Sequence, residues 1–119
     1  LIDFLNYDSP ANTRLLEELR RGTPLCASAV AWFEFCNVPC TEQQKKYILQ
    51  IINHDIHPLD QKQAELAASL FNQTGRRRSS RADCMVAAAA ISSDSPIATY
   101  NTQDFQKFTP HGLKLENLT

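Results

Sequence analysis

The sequence lacks three features that would each point at once to a particular class of protein. Twelve basic and thirteen acidic side chains leave a net charge of −1, so binding to nucleic acid would require a local basic patch. No apolar run approaches the roughly 18 residues of a membrane helix. No charged and then apolar leader opens the sequence, so no export signal is evident. We therefore expect a cytoplasmic protein with no membrane association.

Cysteine is present, but its spacing matches neither a disulfide framework nor a zinc site. Cys26 and Cys84 stand beside small apolar residues, and the four cysteines are unevenly spaced. We expect them to be buried free thiols in a reducing compartment. Two pairs of residues are spaced as some zinc ligands are: Cys36 with Cys40, and His54 with His57. Neither pair has a second ligand pair nearby, which argues against zinc.

The length and composition are those of one globular domain over residues 1–119. Of the 119 residues, 43% are hydrophobic and 21% are charged, an ordinary balance for a folded chain. A domain of this size buries roughly two-thirds of its unfolded surface, which is enough for a core without disulfides or structural metals.

Short apolar runs alternate with longer segments of helical spacing along most of the chain. We predict helices that begin at the capping residues Ser28, Thr41 and Asp60, and an alanine-rich helix over 82–92. Further helices are predicted over 10–22 and 102–108, with strands over 25–27, 55–59, 96–100 and 113–118. Alternating strands and long helices favour an α/β fold of three layers, α/β/α, with a parallel twisted sheet.

The chain opens abruptly on the apolar segment Leu-Ile-Asp-Phe-Leu at 1–5, with no strand before it. We expect the first central strand of the sheet to be missing from this chain.

Three acidic residues follow the predicted strands in an order that suggests one shared site. Glu34 lies in the helix after the strand at 25–27, Asp83 begins the alanine-rich helix, and Asp104 follows a later strand, with Asn101 as a second choice there. Each has an ordinary structural explanation when taken alone: a solvent-facing position, a helix dipole or a turn. In a parallel sheet, however, such positions meet at the carboxyl edge.

Carboxylates that crowd together at one edge repel one another unless a cation neutralises them. Hard oxygen ligands select Mg²⁺ or Mn²⁺, and these ions typically serve phosphodiester chemistry. The three acids therefore favour a divalent metal site.

Four arginines lie within six positions, close to the second of these acids. Arg76, Arg77, Arg78 and Arg81 precede Asp83 in the clearest polar loop of the sequence. They are suited to neutralising RNA phosphates beside the acidic edge. The alternative is a solvated loop whose arginines pair with scattered acids.

The chain resembles a PIN domain, and most closely the single-domain toxins of VapC type. The resemblance is carried by the segment 1–5, by Ser28 followed by Glu34, and by the segments 81–90 and 98–105, in the family's order. It implies a parallel sheet with helices on both faces and metal-dependent cleavage of RNA. It also implies that Glu34 is the second acid of the site and Asp83 the third, while the fourth is Asp104 or, failing that, Asn101.

The first acid of that family ends the first central strand, whereas the segment 1–5 resembles the stretch beyond it. Asp3 is the only substitute in range, and it is a poor match. This departure puts catalytic activity in doubt.

The resemblance leads to one principal hypothesis: an endoribonuclease dependent on Mg²⁺ or Mn²⁺, the toxin of a toxin–antitoxin pair. RNA as substrate, a small antitoxin as partner and a homodimer are implied with it. One alternative is a degenerate, non-catalytic PIN-like module that binds RNA or protein. Another is a PIN-like nuclease of RNA maturation or DNA repair.

Overall fold

A parallel sheet forms the centre of the molecule. The computed structural model describes residues 3–6, 24–99 and 102–117. Within these ranges the sheet has five strands in the order β3-β2-β1-β4-β5. The strands are β1 (Asp3–Asn6), β2 (Leu25–Ser28), β3 (Ile56–His57), β4 (Ile97–Thr99) and β5 (Leu115–Asn117). All four neighbouring pairs are parallel, so the carboxyl ends of the strands lie along one edge, the carboxyl edge.

Helices connect the strands. In the described ranges they are α1 (Ala29–Asn37), α2 (Glu42–Ile51), α3 (Gln61–Gln73), α4 (Arg81–Ser92) and the short α5 (Thr102–Phe105). Turns of 3₁₀ helix precede α4 at Arg78–Ser80 and follow α5 at Gln106–His111. The chain runs outward from β1 to β3 and returns to β4 on the other side of β1. The direction of the connections therefore reverses between β1 and β4, where ligands bind in open α/β sheets.

The central position of the sheet is filled by Asp3–Asn6, which corrects the expectation that this strand is missing. Phe4 is only 1% exposed, and its backbone N–H donates to the carbonyl of Pro96 at 2.8 Å. Without a strand here, β2 and β4 would each present an unpaired edge. The apolar segment at the start of the sequence therefore serves as the central strand.

The predicted helix starts at Ser28, Thr41 and Asp60 are confirmed. The side-chain oxygen of Ser28 accepts from the N–H of Ala31 at 3.0 Å. Thr41 forms a capping box with Gln44. The side chain of Asp60 accepts a hydrogen bond from the backbone N–H of Gln63. These bonds span only three residues, which is why the sequence alone predicts them.

Buried side chains cover both faces of the sheet, as the three-layer prediction requires. Cys26 points into one core cluster with the alanines of α4, whereas its neighbours Leu25 and Ala27 point into another with Ile48 and Ile51 of α2. The buried stretch from Val86 to Ala90 is 0–1% exposed. Its small side chains let α4 pack closely on the sheet and against α3.

One predicted helix differs from the structure near the end of the chain. The helix over 102–108 is divided into α5 and a 3₁₀ turn, which contains Pro110 and ends at Gly112 with φ 105°. Proline lacks the N–H that a continuing α-helix needs. The predicted helix over 10–22 lies outside the described residues. None of the helices that the structure describes is long and apolar enough to cross a membrane.

Candidate acidic site at the carboxyl edge

Three helices bring the predicted acids to the carboxyl edge of the sheet. Glu34 lies in the second turn of α1, which begins directly after β2. Asp83 lies in the first turn of α4, and Asp104 lies in α5, which follows β4. Since α4 contacts both α1 and α5, the fold gathers residues 49 and 21 positions apart into one region.

Asp83 is the electrostatic centre of this group. The pKa of its carboxyl is raised from 3.8 to about 6, first by burial and then by the negative charges of Asp104 and Glu34. A nearby like charge disfavours ionisation, so Asp104 and Glu34 each lie near enough to Asp83 to raise its pKa. The structure therefore brings together all three acids that the sequence analysis singled out.

The acidic group is open and has no closed shell of ligands. Asp104 is exposed, while Glu34 and Asp83 are partly buried. In the described ranges, the three carboxylates are not among the groups whose ligand atoms all lie within 4.8 Å of one another. An open set of oxygen ligands suits Mg²⁺ or Mn²⁺, since Mg²⁺ usually keeps several of its waters when it binds protein carboxylates. The residues thus fit a hydrated divalent ion.

Lys107 belongs to this region and was missed by the sequence analysis. Its positive charge lowers the pKa of Asp83, against the effects of burial and like charge. The residue lies three positions after Asp104, on the 3₁₀ turn that follows α5. That spacing is a signal by which the sequence could have shown it, because residues three apart on a helical turn share a face.

Two further predicted site residues have different outcomes. The Ser28 side chain is 3% exposed and caps α1. It fixes the start of the helix that carries Glu34, and so it is a positioning residue for that acid. Asn101 lies outside the described residues.

The four arginines are exposed, as a phosphate-binding patch requires. The guanidinium groups of Arg76 and Arg81 lie 5.4 and 5.9 Å from the centre of the Phe71 ring on α3. Arg77 and Arg78 begin the 3₁₀ turn that leads into α4. The role of the four in binding RNA stays a prediction.

A cavity of about 250 Å³ lies between α3 and α4 rather than at the acidic site. Its walls are mostly small or apolar side chains, among them Ala67, Phe71 and Met85. None of the three carboxylates lines it. This cavity is therefore separate from the three acids.

Comparison with known proteins identifies the family. The sequence profile of the PIN domain matches residues 1–109, and the chain belongs to the PIN domain family. A comparison with curated protein sequences found no match.

Solved structures show the same fold. A DNA-bound VapBC from Salmonella typhimurium is similar with a TM-score of 0.71 and 15% identity over all of both chains. VapBC2 from Rickettsia felis, bound to a promoter DNA fragment, is similar with a TM-score of 0.68 and 18% identity over 98% of each chain. VapBC-5 from Mycobacterium tuberculosis, a member of a family of toxin–antitoxin systems, is similar with a TM-score of 0.62 and 20% identity over 98% of each chain. The family and fold expected from the sequence are thereby confirmed.

Proposed function

We propose that this protein is a divalent-metal-dependent endoribonuclease and the toxin of a toxin–antitoxin pair. PIN domains are generally nucleases that use divalent metals, and this chain belongs to that family. The observation that carries the proposal is the electrostatic interaction of Asp83 with Asp104 and Glu34. Structural roles such as helix capping do not require three acids from separate helices to lie together.

Glu34, Asp83 and Asp104 would hold Mg²⁺ or Mn²⁺ at the carboxyl edge. The ion, when bound, activates water and neutralises phosphate charge. The protein's own part is to bring the carboxylates to one place. A pKa of about 6 leaves Asp83 mostly ionised at neutral pH, and Lys107 favours that state.

The register of the central strand places its last residue at this edge. The register pairs Asn6 with Thr99 at the carboxyl end of β1 and β4, while Asp3 pairs with Leu25 at the opposite end. Asp3 is therefore no candidate for the site. The proposed metal site rests on the three acids of α1, α4 and α5.

The proposed partners are RNA, a small antitoxin and a second copy of the chain, in the cytoplasm. The similar structures from three bacteria are VapBC assemblies, and one is described as a toxin–antitoxin system. Their identities of 15–20% support a shared fold, and the partner proposal depends on that likeness.

A non-catalytic PIN-like binding module is the second candidate. Its support is the open arrangement of the carboxylates together with an asparagine at the carboxyl end of β1. A module of this kind would bind RNA or protein without cutting it.

Cleavage of a labelled RNA by the purified chain tests the proposal. We expect cleavage with Mg²⁺ or Mn²⁺ and none with excess chelator. Glu34→Gln, Asp83→Asn and Asp104→Asn should each slow it by about a hundredfold or more, because each removes a charge from the metal site.

Asp94→Asn is the matched control, since Asp94 is exposed and pairs with Lys114 at 3.1 Å beyond the far end of α4. It should cut at the parental rate. Parental cleavage by Asp83→Asn would refute the metal site. RNA binding without metal-dependent cleavage would favour the binding module.

A further inference from the structure

A second group of metal-binding side chains lies where β2 meets β3, the edge strand of the sheet. One ligand atom each from Cys26, Asp55 and His57 lies within 4.8 Å of the other two. The register pairs Ser28 with His57, and Cys26 lies two residues before Ser28. Because side chains alternate along a strand, Cys26 and His57 share one face of the sheet, and so does Asp55.

The backbone fixes this group in place. The N–H of Ala27 donates to the carbonyl of Asp55 at 3.0 Å, which ties the start of β3 to β2. The ring of Phe4 packs edge-on against the imidazole of His57, with 4.9 Å between ring centres. Cys26 and His57 thus lie on neighbouring strands, and Asp55 is held directly before β3 by the backbone bond from Ala27.

His57 carries a nitrogen atom whose bonding is incomplete. Nε2 is buried and has no hydrogen-bond partner among the described residues, although Oδ1 of Asp55 lies 3.1 Å away. A buried polar atom without a hydrogen bond is costly and rare in folded proteins. A cation between the imidazole and the carboxylate would satisfy both groups.

The group is closed on one side and open on the other. Cys26 is 0% exposed and forms the floor. The side chains of His57 and Asp55 are 33% and 43% exposed, so the outer side of the group reaches solvent while Nε2 of His57 stays buried.

We propose that Cys26, Asp55 and His57 bind a zinc-like divalent cation, at a site separate from the three acids of the carboxyl edge. Thiolate, imidazole and carboxylate are the ligands of Zn²⁺, whereas Mg²⁺ prefers oxygen alone. Zinc lies about 2.0–2.3 Å from such ligands. Small rotations of the three side chains would therefore bring their ligand atoms to bonding distance of one ion. Water fills the fourth position, and the thiol proton leaves to solvent on binding.

Such an ion would join the edge strand β3 to β2. β3 has only two residues, so backbone pairing alone holds it weakly. The site is independent of the proposed nuclease activity.

Co²⁺ is the probe, because a tetrahedral Co²⁺–thiolate site has a characteristic charge-transfer absorption. We expect the metal-free full chain to bind one Co²⁺ per chain with that absorption, and Zn²⁺ to displace it. Cys26→Ala should abolish the absorption. His57→Gln and Asp55→Asn should weaken binding by about tenfold or more, since each removes a ligand.

Three variants serve as controls. Cys84→Ala removes another buried thiol, and His54→Gln removes an exposed histidine three residues from His57. Both should bind Co²⁺ as the parent does. Asp83→Asn should also keep the Co²⁺ absorption, so that failure of this site and failure of the nuclease proposal are distinguishable.

Absence of the thiolate absorption in the parent would overturn the proposal. The proposal would also be overturned if Cys36→Ala removed the thiolate absorption and Cys26→Ala kept it. If Cys26→Ala does not fold, His57→Gln and Asp55→Asn decide, and unchanged Co²⁺ affinity in both would overturn the assignment.

Discussion

Lys107 lies close enough to Asp83 for its positive charge to lower the pKa of that carboxyl. The lysine comes from the turn after α5, and the aspartate from the first turn of α4. Lys107 also lies 5.2 Å from the centre of the Phe108 ring, and Phe108 is fully buried. The lysine is therefore anchored beside the acidic site, where it partly offsets the repulsion among the carboxylates.

Replacing this lysine should raise the pKa of Asp83 further. Lys107→Gln removes a charge that favours the ionised carboxyl, so we expect a pKa above 6 and Mn²⁺ binding that begins at higher pH. Carboxyl chemical shifts followed through a pH titration measure the first effect. Lys114→Gln is the control, because Lys114 pairs with Asp94 instead. An unchanged Asp83 titration in Lys107→Gln would contradict the contact.

Asp83 should make the metal-free fold less stable as the pH rises. Its folded pKa of about 6 lies above the ordinary 3.8, so the folded state holds the proton more tightly than the unfolded chain does. The free energy of unfolding therefore decreases as the pH rises from about 4 through 6, and the loss is complete above that range. At about 1.4 kcal/mol per pKa unit, the loss is below about 3 kcal/mol, because solvent screens this partly exposed carboxyl.

Asp83→Asn should remove this loss and be more stable than the parent at about pH 8 in chelator, by up to about 3 kcal/mol. The substitution also forfeits a favourable helix-dipole interaction of about 0.3–1 kcal/mol, which is smaller. Urea unfolding at acid and alkaline pH measures the difference, with Asp94→Asn as the exposed control. A variant that is less stable than the parent at alkaline pH would contradict the pKa assignment.

The exposed arginines Arg77 and Arg78 should contribute to RNA affinity through phosphate contacts alone. Replacing both with alanine should weaken binding and flatten its dependence on log salt by about 1.4 units, at roughly 0.7 per contact on a single strand. The paired control replaces Lys46 and Lys62, which are exposed on α2 and α3. An unchanged salt slope in the arginine variant would exclude these two residues from the interface.

The tight packing of α4 should make it intolerant of larger side chains. Ala88 is 0% exposed, so Ala88→Leu has no space and should destabilise the fold by about 1–3 kcal/mol or more. Ala64→Leu, at an exposed position of α3, should change stability by less than about 0.5 kcal/mol. Thermal unfolding of the two variants tests this, and equal stability would mean that α4 is not enclosed.

Much of the acidic site could be predicted because parallel strands end at one edge. Glu34, Asp83 and Asp104 each follow a recognisable element, and the topology rule places them together. The central strand could not be predicted so readily. Only two of residues 3–6, Phe4 and Leu5, are apolar, and only the unpaired edges of β2 and β4 select a strand there.

The cluster of Cys26, Asp55 and His57 also could not be predicted from the sequence alone. The spacing of the histidines pairs His57 with His54, which is exposed, and argues against zinc, while Cys26 is predicted only to be a buried thiol. The three ligands meet only because β3 pairs with β2 in one particular register. A shift of that register by one residue would turn His57 to the other face.

The amino-acid order by itself determined the helix starts at Ser28, Thr41 and Asp60, and the burial of the alanine-rich α4. These features depend on hydrogen bonds over three residues and on the size of neighbouring side chains. Tertiary structure alone decided the pKa of Asp83, the position of Lys107 and the grouping of Cys26 with His57. Electrostatic energy and metal coordination depend on distances in space, and pairing between strands sets those distances.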